Sequence, residues 1–176
     1  SGVAPNYGAD SLEDANSVFV ESGTPVTAAQ AESVQDLINY SGGDIDIADS
    51  VTNLKSAGDR VLNVTGVDVV TVNSGATSAN DGAILAGFTA DVEFDVVDNA
   101  AGLIAEMGGA DVAGHLTEAN SITVNDGQGG QVVTASDGAI LAGFTADVDF
   151  DVVDNAGALI SVMGTDDAAS YLTEAN

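Results

Sequence analysis

The chain has no cysteine and only two basic residues among 176. Without cysteine it can form neither a disulfide framework nor a thiolate metal site, so redox chemistry gives no indication of its compartment. Its 28 acidic side chains bring the formal net charge to −26 at pH 7. A field of that sign repels phosphate backbones and anionic lipid headgroups, which makes nucleic acid and membrane surfaces poor candidates as partners.

Long apolar runs are absent as well. No stretch approaches the roughly 18 residues that a membrane-spanning helix needs, and we expect no membrane insertion. Hydrophobic residues nevertheless make up 45% of the chain, too many for an acidic disordered tail, so an ordered core is expected. Such acidity suits a saline or calcium-containing medium in which cations screen the carboxylates. This favours an extracellular location.

What the sequence does contain is an internal repeat. The peptide DGAILAGFTADV stands at Asp81–Val92 and again at Asp137–Val148. The match extends over Asp81–Asn120 and Asp137–Asn176, which align without a gap and agree at roughly three positions in four. A diverged copy lies upstream at Val26–Asn73. The predicted organisation is one continuous domain made of an N-terminal extension with a β-strand (1–25), repeat 1 (26–73), repeat 2 (74–120) and repeat 3 (121–176).

Each repeat opens with a strand, a loop and a short helix. The β-rich runs Val69–Val72 and Ile122–Val124 precede loops of glycine, asparagine and serine. A short helix follows, capped in the last copy by Thr134 or Ser136, with Asp137 in its first turn. The predicted apolar faces of this helix in the two copies are Ile84, Leu85 and Phe88, and Ile140, Leu141 and Phe144.

Each repeat closes with an alternating strand and a second helix. Val92, Phe94 and Val96 are predicted to point inward because they alternate with Glu93 and Asp95. The inward set of the last copy is Val148, Phe150 and Val152, and the second helix of repeat 2 presents Leu103, Ile104 and Met107.

A unit of two short strands and two short helices cannot bury its apolar faces alone. Stacking like units buries them, so the predicted fold is α/β: a repeat solenoid of short parallel strands and short helices with about three coils. The competing topology is a doubly wound sheet, although its crossover helices are usually longer and less alike.

Two segments carry a resemblance to a known group of proteins. The stretch VTAAQAESVQDLINYSGGDIDIADSVTNL, together with DVVDNAAGLI, resembles the Ala/Asp/Val-rich tandem repeats of large acidic bacterial surface proteins, the adhesin and S-layer-like proteins of type I secretion. The similarity covers most of Val26–Asn176. It implies an extracellular structural or adhesive role without catalytic residues. Those proteins are usually far longer, whereas this chain has about three units.

The two ends of the repeat array are complementary. The last copy stops at Asn176, equivalent to Asn120, whereas the copy before it continues into the strand Ser121–Asn125. At the other end, Ser17–Glu21 is a β-rich segment that precedes the first repeat. We expect copies of the chain to associate head-to-tail as a filament. The alternative is that a boundary simply falls at a repeat edge. The residues assigned to this contact are Val18, Phe19, Val20, Leu172 and Asn176.

The acidic residues that recur at equivalent positions in repeats 2 and 3 offer a second kind of site. Stacked coils would bring equivalent carboxylates within about 5 Å of each other, where hard cations such as calcium relieve the repulsion through oxygen ligands. The alternative is a solvated acidic face with diffuse counterions. The predicted metal ligands are Asp91, Asp95, Asp98, Asp147, Asp151 and Asp154.

No nucleophile, base or cofactor fingerprint emerges, so we expect no enzyme. The single histidine, His115, is matched by Tyr171 in the last copy, which indicates a packing role rather than general-base chemistry. The sequence therefore predicts an extracellular structural repeat protein that assembles with copies of itself as a filament, surface layer or adhesin stalk. The alternative is a module of a large secreted adhesin that binds a cell-surface glycan or calcium.

Overall fold

A computed structural model of the chain describes residues 18–20, 23–36, 40–63, 66–107, 115–127, 130–144 and 146–164. The chain divides into two compact units. Unit 1 comprises Ser1–Asn73 with Thr89–Asp91, and unit 2 comprises Ser74–Phe88 with Val92–Asn176. The protein is a mixed α/β protein in which short strands pair in parallel within small sheets.

Unit 1 contains two parallel strand pairs. Strand β1 pairs with β2, and β3 pairs with β4. Val26, just before the first helix, forms a further parallel bridge to Ile47 in β3. The elements in chain order are β1 (Val18–Val20), α1 (Ala28–Gln35), β2 (Tyr40–Gly43), β3 (Ile45–Asp49), α2 (Val51–Ala57), α3 (Asp59–Leu62) and β4 (Val67–Val72).

Unit 2 also contains two parallel strand pairs. Its elements are α4 (Ala79–Ala86), β5 (Val92–Glu93), β6 (Asp95–Asp98), α5 (Ala100–Met107), a 3₁₀ helix (His115–Glu118), β7 (Ser121–Val124), β8 (Val132–Val133), α6 (Ala135–Leu141), β9 (Asp151–Val152) and α7 (Ala156–Met163). Strand β6 pairs with β7, and β8 pairs with β9, all in parallel. Isolated parallel bridges join Thr77 to Val96 within repeat 2 and Thr123 to Asp149 within repeat 3, whereas the pair of β6 and β7 joins repeat 2 to repeat 3.

The predicted strand alternation is confirmed. Val92, Phe94 and Val96 are buried, while Glu93 and Asp95 are exposed. In the last copy Val148 and Phe150 are buried, and Val152 is half-buried. The core of unit 2 therefore lies on the inward face of these strands, against the helices.

The predicted face of the first helix is wrong at two positions. Ile84 and Ile140 are exposed, at 40% and 44%, although the adjacent Leu85 and Leu141 are buried. The buried face of α4 is instead made of Ala79, Gly82 and Leu85, spaced three residues apart. Small residues on this face let the helix approach the strands closely, which turns the isoleucine outward.

Gly82 and its counterpart Gly138 explain part of the repeated peptide. A Cβ atom at Gly82 would lie 2.9 Å from Val96 Cγ2 and 3.0 Å from a ring carbon of Phe94. A Cβ at Gly138 would lie 2.8 Å from Val152 Cγ2. All three distances are shorter than ordinary van der Waals contact, so glycine permits the close packing of helix on strand.

Helix capping follows the sequence pattern. Thr134 caps α6, since its hydroxyl accepts a hydrogen bond from Asp137 N, and Asp137 lies in the first turn as predicted. Thr27, Ser78 and Asn155 cap α1, α4 and α7 in the same way. In the part of the chain that the structure describes, no helix is long and apolar enough to cross a membrane.

Candidate functional site

In each copy an aspartate at or just after the end of a β-strand connects that strand to two helices. Asp49, Asp98 and Asp154 occupy this position in the three copies, each followed directly by the residue that precedes the second helix. We call each of them, with its hydrogen-bond donors, an aspartate joint. One carboxylate oxygen reaches back to the helix that comes before the strand, and the other binds the start of the helix that comes after it.

The geometry of the joint recurs closely in all three copies. Oδ2 accepts from the first amide of the preceding helix: Asp49 from Ala28 N at 3.0 Å, Asp98 from Ala79 N at 2.9 Å and Asp154 from Ala135 N at 3.2 Å. Oδ1 accepts from the next backbone amide, at 2.7 Å in each case. It also accepts from an asparagine side chain: Asn53, Asn99 or Asn155, at 2.8, 3.0 and 3.0 Å.

The joint satisfies helix amides that have no partner inside the helix. It also sets a negative charge beside two helix N-termini, where the helix dipole favours it. The aspartate therefore fixes the strand end relative to both helices of its copy.

Asp49 is the most buried of the three, with 6% of its surface exposed. Burial raises the pKa of this carboxyl, but the hydrogen bonds from Asn53, Ser50 and Ala28 outweigh that effect and leave the pKa below its usual value. Asp49 is thus stabilised in its ionised form by the joint.

The joint also contacts the next strand of the chain through its backbone. The carbonyl of Asp49 accepts from Asn73 N at 3.0 Å, just after β4, and the carbonyl of Asp98 accepts from Asn125 N at 2.8 Å, just after β7. The same residue therefore organises its own copy through the side chain and contacts the next strand through the backbone.

The predicted metal ligands lie in different surroundings. Asp98 and Asp154 serve the aspartate joints, and Asp95 Oδ1 accepts from Ser121 Oγ at 2.6 Å. Asp91 and Asp147 are exposed. Asp151 is half-buried in β9. Among the residues that the structure describes, no three acidic or histidine side chains converge on a point that could hold a metal ion.

A groove of about 640 Å³ lies in unit 2 between the end of the 3₁₀ helix with β7 and the segment 146–149. Its wall is largely polar and includes Thr117, Asn120, Ser121 and two of the acidic residues, Asp147 and Asp149. Asp149 Oδ2 also accepts from Gln131 Nε2 at 3.3 Å. The groove therefore offers hydroxyl, amide and carboxylate groups to a small polar ligand.

Among the described residues, the two most exposed large apolar side chains lie in the last copy. Val153, just after β9, is 65% exposed, and Ile160 in α7 is 70% exposed. Their counterparts Val97 and Ile104 are half-buried. Helix α5 packs against both α4 and α6, whereas α7 packs against α6. Val153 and Ile160 are therefore more exposed than the identical residues of the copy before them.

The residues predicted for self-assembly are only partly described. Val18, Phe19 and Val20 form β1, as the β-rich pattern predicts, and this strand pairs with β2 in the register Val18 to Tyr40 and Val20 to Gly43. Leu172 and Asn176 lie outside the described residues. His115 begins the 3₁₀ helix, next to the buried Leu116.

The aspartate joint was missed in the sequence. Its signal is the position of an aspartate at the strand end directly before Ser50, Asn99 or Asn155. Comparison of this chain with protein-family models, with curated proteins and with solved structures finds no match.

Proposed function

We propose that the chain is a structural repeat protein whose copies stack into a solenoid and whose molecules associate head-to-tail. The observation that carries this proposal is the parallel pairing between successive copies in unit 2. Strand β6 of repeat 2 pairs with β7 of repeat 3, and β7 is bridged in turn to Asp149 of its own copy. A contact of this kind does not close on itself, so repetition between molecules produces a filament.

The setting of the proposed function is extracellular. The resemblance to repeats of acidic bacterial surface proteins and the net charge of −26 support a role in a filament, surface layer or adhesin stalk. In such a medium salt screens the repulsion between acidic molecules, so assembly should strengthen as ionic strength rises. We assign the chain no catalytic role.

The test is light scattering coupled to size exclusion, with negative-stain microscopy of the same samples. Protein concentration and salt are varied, each with calcium or with a chelator. The proposal expects a ladder of masses or regular fibres that grows with concentration. A single monomeric mass under every condition contradicts it.

The groove in unit 2 favours a second candidate function, the binding of a glycan or of calcium. Its polar lining, including Asn120 and Asp147, suits hydroxyl groups or a hard cation. Calorimetric titration with calcium chloride and with neutral oligosaccharides tests this function. Saturable binding by a protein that stays monomeric supports the binding module over the assembling one, and an Asp147→Asn variant should then weaken calcium binding.

A further inference from the structure

Strand β9 of the last copy and strand β6 of the copy before it begin the same four-residue sequence, but their strand neighbours differ. Residues 95–98 and 151–154 share the sequence Asp-Val-Val-Asp. In the first of them β6 is flanked by β7, in register from Asp95 opposite Ser121 to Asp98 opposite Val124. In the second, β9 pairs with β8, and on the side that corresponds to β7 no strand lies among the described residues.

Strand β1 has the complementary open edge. Strand β7 uses both of its edges, one for β6 and the other for Asp149, with Asp149 N donating to Ile122 O at 2.9 Å. Strand β1 makes only the second kind of contact, since it pairs with β2 across the intervening helix α1. Within the described ranges, the neighbour that β1 lacks is a strand like β6.

The sequence of the N-terminal strand matches that of β7. Residues 17–20 read Ser-Val-Phe-Val and residues 121–124 read Ser-Ile-Thr-Val. The shared serine has a defined function in β7, because Ser121 Oγ donates to Asp95 Oδ1 across the strand pair at 2.6 Å. Asp151 presents the equivalent carboxylate at the open edge. The corresponding run before repeat 2, Val69–Val72, begins with valine and lacks this serine.

We propose that the open edge of β9, together with Val153 and Ile160, is the docking site for β1 of a second copy of this chain. The proposal rests on the head-to-tail function above and names both surfaces of the contact. The strands run parallel in the register of β6 and β7, so that Val18 lies opposite Val152 and Val20 opposite Asp154.

The apolar side chains at the edge provide the driving force. In the docked register Phe19 aligns with Val153, where β7 places Thr123 beside Val97. Burial of Val153 and Ile160 by the second copy would bring both to the half-buried state of Val97 and Ile104. Removal of this apolar surface from water favours the contact against the repulsion of two acidic molecules.

Two charge substitutions test the docking site on the full chain. Val153→Asp and Ile160→Asp should each weaken association by about tenfold or more, since a charge placed in a buried apolar contact is costly. Ile84→Asp is the matched control: Ile84 is also exposed, at 40%, but lies on α4, away from the last copy. Circular dichroism confirms that each variant is folded. Wild-type self-association that persists unchanged in both edge variants overturns the docking site while leaving head-to-tail assembly intact.

Binding of a peptide that contains the β1 sequence tests the docking site even if the protein does not assemble. The probe is the sequence of residues 17–23, SVFVESG, titrated against the full chain and against the Val153→Asp variant. Docking predicts saturable binding to the wild type, weaker by about tenfold in the variant, and inhibition of any assembly. A monomeric wild type that binds the peptide through this edge contradicts the proposed function but keeps the site. No binding, or equal binding to both proteins, overturns the site.

Discussion

The second and third copies of the repeat carry nearly the same residues in different surroundings. Strand β6 and its flanking residues have neighbours on both sides, Thr77 and β7, whereas β9 has β8 on one side. Val97 is half-buried, but the identical Val153 is 65% exposed. The burial of a side chain in this protein is therefore set by the presence of the next copy as much as by the copy's own sequence.

This difference separates two kinds of contact. Contacts inside a copy, such as the aspartate joint and the glycine under each first helix, recur in the second and third copies alike. Within the part of the chain that the structure describes, β6 pairs with a strand of the next copy, whereas β9 pairs with β8 of its own copy. Stability should therefore depend on the first kind, and association between molecules on the second.

The largest effect is expected from filling the space beside the helix glycine. Gly82→Val places methyl groups against Val96, Phe94 and Leu116. The free energy of unfolding should therefore fall by about 3 kcal/mol. Gly138→Val should cost less, about 2 kcal/mol, because its nearest neighbour, Val152, is only half-buried and can move. Urea unfolding followed by circular dichroism measures both. Asn80→Val, at an exposed position of the same helix, is the control, and equal losses at Asn80 and Gly82 would contradict close packing as the cause.

Removal of an aspartate joint should have the next largest effect. Asp49→Ala leaves Ala28 N buried without its acceptor and should lower the free energy of unfolding by about 2 kcal/mol. Asp154→Ala should cost about 1 kcal/mol, because Asp154 is half-buried and its bond to Ala135 N is longer. Asp91→Ala, an exposed aspartate, serves as the control in the same urea experiment. If Asp154→Ala lowered the free energy of unfolding as much as Asp49→Ala, the contribution of a joint to stability would not depend on its burial.

The joint at Asp49 also predicts a dependence on pH. Because its pKa is lowered in the folded state, Asp49 contributes stability that is fully present above the unfolded aspartate value of about 3.9. That contribution is lost as the pH falls through the folded pKa. The difference in unfolding free energy between wild type and Asp49→Asn should therefore be constant near neutral pH and shrink below about pH 4. A difference that stays the same down to the lowest pH would contradict the lowered pKa.

The smallest effect is expected at Gly102, where the copies differ. A Cβ there would lie 2.8 Å from the carboxylate carbon of Asp98, yet the third copy has Ala158 at this position. The bond from Ala135 N to Asp154 is correspondingly longer than that from Ala79 N to Asp98. Gly102→Ala should change stability by less than about 0.5 kcal/mol, since the gain in helix propensity offsets the weaker joint. A loss of about 2 kcal/mol in urea unfolding would mean that the two joints are not interchangeable.

Sequence patterns predicted those elements that depend on local rules. Period-two alternation located Phe94 and Phe150 in the core, and capping chemistry located Thr134. Sequence patterns did not predict which side chains are buried where packing between a helix and a strand determines the burial. The outward position of Ile84 follows from the close approach at Gly82, and neither distance nor direction between helix and strand is readable from periodicity.

The aspartate joint shows the same limit at the candidate site. The repetition of Asp98 at Asp154 was visible in the sequence and led to a metal prediction that did not include Asp49, because carboxylates in rows suit cations. The structure instead places backbone amides against two of the predicted ligands, Asp98 and Asp154. Which donor a carboxylate meets depends on how the preceding helix returns to the strand, and that is a tertiary feature.

The central claim is that the open edge at β9 joins one molecule to the next. The most direct measurement is the mass of the full chain by light scattering coupled to size exclusion, from micromolar to millimolar concentration at high salt, for wild type and Val153→Asp side by side. Docking at this edge predicts masses that grow with concentration in the wild type and a monomer in the variant. Identical masses for the two proteins at every concentration would contradict it.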